Sequence, residues 1–253
     1  LHTTCKPHQL DAVKFVLDRL ELDTGALLAH AMGLGKTLTA LAVLQTYSTK
    51  FPRFQTLLIC PKSMVKPWVN EIVKWASVIK IDFHAVMCTD ELVCAHAAWQ
   101  TSGGILIMGH DQFRLAAQAD ALSLDKHTVI VVDEAHLLRS RNTQVYDCVE
   151  RLPSQKRIFL TGTPLQNHLE EYFVMLNLLS KGLLCNTVHE FRKTYGDIIE
   201  RGMHKDLTAD DISASERAVQ CMRWRVAAVM HDKSAAILAN SLQPKTEYRI
   251  MHA

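Results

Sequence analysis

With 253 residues, 48% of them apolar, the chain is long enough to bury a substantial core as one large domain or two small ones, which excludes a disordered or collagen-like polymer. Its 28 basic and 26 acidic side chains leave a formal charge of only +2, so no global field points to a polyanionic partner and any such contact must be local. Each apolar stretch is interrupted by Lys, Arg, Asp or Glu before the ~18 residues a membrane helix needs, and a soluble chain with no membrane partner is expected.

Short β-type runs alternate with longer amphipathic ones. After an N-terminal helix carrying Gln9, strands are predicted at Ala26–Ala29, Thr56–Cys60, Ile81–Met87, Ile105–Met108, Thr128–Val132 and Arg157–Leu160. Helices are predicted between and after them, at Thr37–Thr46, Met64–Trp75, Thr143–Arg151 and Leu169–Leu179. This rhythm implies an α/β fold with a central, mostly parallel sheet covered on both faces. Val129 to Val132, apolar at every position, reads as a central strand.

Past about residue 181 no β-run is expected until the last few residues, and Ser215–Ala228 and Lys233–Leu242 read as helices of an appendage. Ser213 and Glu216 have capping-box spacing and are expected to start its long helix, after the acidic stretch Asp206–Asp211. The chain opens at Leu1 and stops at Ala253, just after a strand-like run, so a piece of something longer is expected, without a secretory leader. Seven cysteines, with no C-x-x-C pair, argue for a reducing compartment over a disulfide framework or zinc ribbon. Cys88, Cys94 and His96 come nearest to a metal set but read as buried or incidental.

Three segments carry chemistry. Ala29-His30-Ala31-Met32-Gly33-Leu34-Gly35-Lys36-Thr37 lies between a predicted strand and helix, where glycines let backbone N–H groups wrap phosphates and the helix N-terminus adds its dipole. Lys36 would reach the β- and γ-phosphates of ATP and Thr37 would hold Mg²⁺. The nucleotide-contacting set expected here is Met32, Gly33, Leu34, Gly35, Lys36 and Thr37, running on to position 38, Leu38. His30 stands where the strict G-x-x-x-x-G-K-[ST] pattern has its first glycine. Asp133-Glu134-Ala135-His136 follows a buried strand, so its carboxylates emerge at the C-terminal sheet edge where open α/β folds bind ligands. Asp133 is expected to hold Mg²⁺ through its water shell and Glu134 to orient and deprotonate the attacking water. Lys36, Asp133 and Glu134 thus form the expected catalytic set. Leu160-Thr161-Gly162-Thr163-Pro164-Leu165-Gln166-Asn167 would lie at the same edge.

These segments, with Lys6-Pro7-His8-Gln9, Cys60-Pro61-Lys62-Ser63, Trp68 and Lys74-Trp75, resemble in order and spacing the first RecA-like lobe of the Swi/Snf-family ATPases. Ala29-His30-Ala31, where most of that family has Asp-Glu, is similar to the ATRX-like branch and its androgen-receptor-interacting relatives, as are Glu190-Phe191-Arg192 and Leu242 to Tyr248. The resemblance implies a P-loop lobe over residues 1–181, a helical protrusion over 182–243 and a linker over 244–253 toward a second RecA-like lobe. It implies a nuclear, DNA-stimulated ATPase that translocates on double-stranded DNA and remodels chromatin or nucleosomes, inactive as an isolated lobe.

By the same resemblance Gln9 reads adenine, and Lys62, Ser63, Gln166 and Asn167 lie near the DNA backbone groove. Between Lys50 and Lys80 there are six basic residues against the one acid Glu71, a local patch suited to phosphates more than to bases. Two departures are visible: Ala135 replaces a frequent glycine, and His110 stands in Gly109-His110-Asp111-Gln112-Phe113-Arg114 where a Tyr-Glu pair is frequent. Alternatives are a strand-separating DEAH-type helicase, or a nucleotide-dependent scaffold that has lost hydrolysis.

Overall fold

The computed structural model describes residues 5–51, 53–162, 169–202, 208–234 and 236. Among them the chain runs α1 (Pro7–Glu21), β1 (Ala26–His30), α2 (Lys36–Lys50), β2 (Gln55–Cys60), α3 (Val65–Lys74), β3 (Phe83–Val86), α4 (Leu92–Ser102), β4 (Gly104–Gly109) and α5 (His110–Gln118). It continues with β5 (Val129–Val132), α6 (Gln144–Arg151), β6 (Arg157–Thr161), α7 (Leu169–Leu179), α8 (Val188–Phe191), a π turn (Arg192–Gly196), α9 (Asp197–Arg201), α10 (Ala209–Val226) and β7 (Met230–Lys233). The six predicted strands are all present.

The strands form one sheet in the order β3-β4-β2-β5-β6-β1-β7, with every pairing parallel. Side chains alternate between its faces with the period of two that strands impose. Leu27, Leu57, Leu106, Ile130 and Phe159 enter one core, together with Trp99, Phe113 and Val149 from α4, α5 and α6. Leu28, Leu58, Ile107, Val131 and Ile158 enter the other, against Val16, Leu41 and Trp68 of α1, α2 and α3. Both faces are covered, which is why β1, β4, β5 and β6 are buried along their whole length.

In the segment after residue 181, Leu184, Phe191, Tyr195, Ile199, Met222 and Val226 are buried in the same cluster as Leu27 and Phe159. The segment also returns to the sheet, because Met230–Lys233 is a strand beside β1, where a helix beginning at Lys233 was expected. Met-His-Asp-Lys has neither alternation nor an apolar run, so this edge strand is defined by pairing, with Ala31 N–H donating to Lys233 O at 3.0 Å.

Helix α10 starts six residues earlier than expected. Thr208 is its cap and Asp211 completes the box, so Ser213 and Glu216 lie within the helix. Helices α4, α5, α8 and α9 have no counterpart among the predicted ones; the apolar residues of α4 are spread around its axis, and α8 and α9 are only four and five residues long. The remainder of the expected Lys233–Leu242 helix and the 244–253 linker lie outside the described residues, apart from 233, 234 and 236.

Candidate functional site

Strand β6 lies between β1 and β5, so the three expected motifs leave the sheet side by side at its C-terminal edge. Register pairs Ala29 with Thr161 and Val132 with Phe159. After β1 the chain turns through Gly33 (φ 84°) and Gly35 (φ 75°), left-handed conformations that favour glycine, before α2 begins at Lys36. A side chain at Gly35 would put its Cβ 2.5 Å from Gln9 Nε2, and one at Gly162 would sit 3.2 Å from Met32 Cγ and 3.6 Å from Lys36 Nζ. Gly35 therefore permits the approach of Gln9 to the loop, and Gly162 that of Met32 and Lys36.

Lys36 Nζ donates to His30 O at 2.9 Å, curling the side chain back over its own loop. Burial lowers its pKa, and the negative charges of Glu134 and Asp133 act against that lowering, as expected of an ammonium held near both acids. Asp133 is buried, and both its oxygens accept: Oδ2 from Trp68 Nε1 at 2.8 Å and Oδ1 from Glu134 N–H at 2.9 Å. Glu134 adopts φ 51°, unusual for a residue with a side chain. Its Oε2 lies 3.0 Å from His136 Nδ1, although that nitrogen has no partner of hydrogen-bond alignment. Ala135 is fully buried in the core, so its methyl fills space that glycine would leave open.

Gln9 is buried, not an exposed helix residue. Its Oε1 accepts from Lys6 N–H at 2.8 Å, while Nε2 donates to Leu34 O and Gly35 O at 3.4 and 3.3 Å. Here its amide binds the loop itself, and His8 Nε2 lies 3.2 Å from the same Leu34 carbonyl. Met32 is 79% exposed, Thr37 is half-buried at the start of α2, and Leu38 turns away to pack against the core under α1 to α3. The loop's outward set thus ends at Thr37.

His30 is wholly buried and its Nε2 lies 2.8 Å from His231 Nδ1 on β7. Burial first, then the neighbouring His231, His8, Lys36 and Lys233, lowers its pKa to about 4. At the first loop position, histidine therefore serves as a neutral link between α1, β1 and β7. His110 follows β4; its pKa is also lowered, chiefly by burial, although the nearby Asp111 and Asp133 oppose this.

The expected basic patch divides. Lys62 and Ser63 are exposed on a 3₁₀ turn directly after β2, at the edge carrying the phosphate loop, and Lys66 is exposed close by. Lys50 and Arg53 line a cavity of about 590 Å³ with Gln55 and Thr128, at the opposite edge, and Lys50 pairs with Glu21. Ten-residue α3 carries Lys74 away toward that side, where it pairs with Glu71. Thr163 to Asn167, including Gln166 and Asn167, lie outside the described residues. Cys88 and Cys94 are exposed thiols, His96 bonds Gln100 and Ser123, and among the described residues no set of three such side chains is arranged for a metal.

Sequence reasoning passed over two contacts, His8 to the loop and Trp68 to Asp133. Val65, Trp68 and Ile72 share one buried face of α3, and a buried indole N–H requires an acceptor, so the second was discoverable in principle.

Residues 8–252 match the SNF2-related domain. The chain belongs to that family. It is 31% identical to human transcriptional regulator ATRX over 96% of its length and 30% identical to the zebrafish DNA repair and recombination protein RAD54-like over 98%. It spans 11% and 35% of those two relatives. A solved SWI2/SNF2 ATPase core from Sulfolobus solfataricus, in complex with dsDNA, superimposes with a TM-score of 0.74 at 24% identity, covering 92% of this chain and 45% of that one. The fold is therefore that of a RecA-like SWI2/SNF2 lobe. Among the described residues no helix is long and apolar enough to cross a membrane.

Proposed function

We propose that this chain is the ATP-binding lobe of a DNA-dependent ATPase that moves along double-stranded DNA and remodels chromatin or other protein–DNA complexes in the nucleus. The observation that carries the reading is the convergence of Lys36, Gly162, Asp133 and Glu134 at one sheet edge, beside an exposed Lys62-Ser63 turn. The family relatives named as a transcriptional regulator and a DNA repair and recombination protein, and the neighbour solved with dsDNA, support the same assignment.

The residues fit a magnesium nucleotide. Gly33 and Gly35 carry the loop through left-handed backbone, a Cβ at Gly35 would meet Gln9, and among the described residues Lys36 is tethered to a carbonyl it can exchange for phosphate oxygens. Thr37 and Asp133 supply oxygen donors, and a hard divalent ion takes its other ligands from phosphate and water. Bound MgATP supplies the phosphoanhydride and neutralises charge on the transferred phosphoryl group. Lys36 stabilises the phosphate oxygens by charge. Asp133, with both oxygens fixed, keeps its position without reorganising. Glu134 orients a water and accepts its proton.

Lys62, Ser63 and Lys66 would grip the DNA backbone, giving contacts indifferent to sequence. A second RecA-like lobe supplies the remaining charge stabilisation, so residues 1–253 bind nucleotide weakly and turn over little. Trp68 and the long segment joining α7 to β7 favour a translocase over a strand-separating helicase, and intact Lys36, Thr37, Asp133 and Glu134 favour hydrolysis over a scaffold role. The decisive experiment measures ATP binding and duplex-stimulated hydrolysis for this chain joined to a second lobe. Lys36→Ala weakens ATP binding about a hundredfold and abolishes hydrolysis, and Glu134→Gln retains binding while losing hydrolysis. DNA-stimulated hydrolysis that survives either change, or that is robust in residues 1–253 alone, defeats the reading.

A further inference from the structure

We propose that Trp68 is a positioning residue: its indole N–H holds the magnesium-side carboxylate and transmits contact at the Lys62-Ser63 turn to it. The inference rests on the nucleotide and DNA assignment above and adds the path that joins them.

Trp68 is fully buried and its single donor, Nε1, meets Asp133 Oδ2 at 2.8 Å. This is a charge-assisted bond, stronger than one between neutral groups. The other carboxylate oxygen is held by Glu134 N–H at 2.9 Å, so Trp68 supplies the second of two restraints that fix the plane of the carboxyl group. No backbone donor duplicates that restraint at Oδ2 among the bonds described, so rotation of the carboxylate is controlled from α3.

The same tryptophan is tied to the exposed turn by continuous helix. Met64 N–H donates to Pro61 O at 2.7 Å, closing the turn that presents Lys62 and Ser63, and α3 starts at the next residue. Trp68 lies one turn further on, with Val65 and Ile72 on the same buried face. The turn itself packs closely on the end of β4, since a Cβ at Gly109 would come within 3.4 Å of Lys62 Cα. A phosphate drawing on Lys62 or Ser63 therefore displaces a packed helix end, and the indole N–H moves with it. Reciprocity follows: whatever binds at Asp133 biases the turn by the same factor.

The test is Trp68→Phe, which keeps an aromatic ring in the core and removes the donor. ATP affinity is measured with and without Mg²⁺, and again with a short duplex present. The expected result is an about tenfold smaller Mg²⁺-dependent gain in affinity, with Mg²⁺-free ATP affinity and duplex affinity within about twofold of wild type. The mutual effect of duplex and MgATP is lost. An unchanged Mg²⁺-dependent gain in folded Trp68→Phe overturns the proposal while leaving the nucleotide site standing. ATP affinity in wild type that ignores Mg²⁺ overturns the site assignment and this proposal together. Should Trp68→Phe fail to fold, the indole N–H resonance that moves in Asp133→Asn identifies Trp68 in an otherwise unaltered core. Its shift in wild type on adding duplex alone supports the path, and its indifference to both duplex and MgATP overturns it.

Discussion

At the N-terminal edge of the sheet, buried cations have partners. Lys156 Nζ reaches Leu20 O and Asp23 at 2.5 Å each, and Arg157 directs Nε and both terminal nitrogens to the carbonyls of Ser154, Leu178 and Leu152. At the C-terminal edge, His30 Nδ1, His110 Nε2, Gln112 Oε1 and His136 Nδ1 are buried without a hydrogen-bond partner among the described residues, and Lys36 bonds a carbonyl. Left-handed backbone occurs at both edges, at Asp23, Gly103 and Gly104 on one and at Gly33, Gly35 and Glu134 on the other. The buried Lys156 and Arg157 of one edge are thus satisfied by protein, although Arg19 Nε and Thr56 Oγ1 there lack a partner among the described residues, whereas the other edge gathers four such atoms, the pattern expected where a ligand completes the site.

The largest effect should come from the satisfied edge. Arg157→Ala strands three carbonyls and opens space between α6 and α7, and loss of about 3–5 kcal/mol of stability is expected by denaturant unfolding. A loss below about 1 kcal/mol would mean that solvent already serves those carbonyls and that the contrast is overdrawn. Lys36→Ala should act the other way. Removing an ammonium held by one carbonyl leaves the melting temperature within a degree or two, while ATP affinity falls about a hundredfold, or about 2.7 kcal/mol. Calorimetric titration and a thermal melt of the same sample read both.

How much of this contrast the sequence reveals depends on what defines each part. Val129 to Val132 and Ala26 to Ala29 are legible because strands covered on both faces require continuous apolar runs, and Asp133 follows from where β5 ends. Lys36 and the glycines follow from chemistry that only those residue types permit. The order of strands is not written locally: only pairing shows that β6 separates β1 from β5 and brings Gly162 within reach of Lys36. Strand β7 is illegible for a related reason, since Met230 to Lys233 are half-exposed and take their register from β1. The basic stretch misleads for a geometric reason. Sequence proximity of Lys62 and Lys74 says nothing of the helix that carries them to opposite sides.

The His30 link gives the contrast a pH dependence. His30 titrates at about 4 in the folded chain, below its ordinary value of 6.5, so on acidification the unfolded chain takes up the proton first. Stability is complete above about pH 6.5 and is lost as pH falls toward 4, on the order of 2 kcal/mol by pH 5. The groups facing the ring act in a definite direction: His8 on α1, His231 and Lys233 on β7 and Lys36 all disfavour its charge. His231 is lowered as well, chiefly by burial and then Lys233, with Asp11 and Asp232 opposing. His30→Asn should flatten the unfolding free energy between pH 6.5 and 5 compared with wild type. An unchanged slope would place the acid sensitivity elsewhere.

The smallest effect tests whether the nucleotide edge holds strain for the sake of its chemistry. Glu134 has φ 51°, a conformation glycine adopts without its Cβ penalty, and its carboxylate makes no aligned bond to His136. Glu134→Gly should therefore raise stability by about 1 kcal/mol, net of the extra backbone entropy lost on folding. It should abolish hydrolysis in the chain joined to a second lobe and spare nucleotide binding. Glu134→Gln keeps the strain and removes only the base, so it should match Glu134→Gly in activity and wild type in stability. If both variants unfold at the wild-type denaturant midpoint, the left-handed turn at Glu134 carries no cost, and the difference between the two edges is one of unpaired polar groups alone.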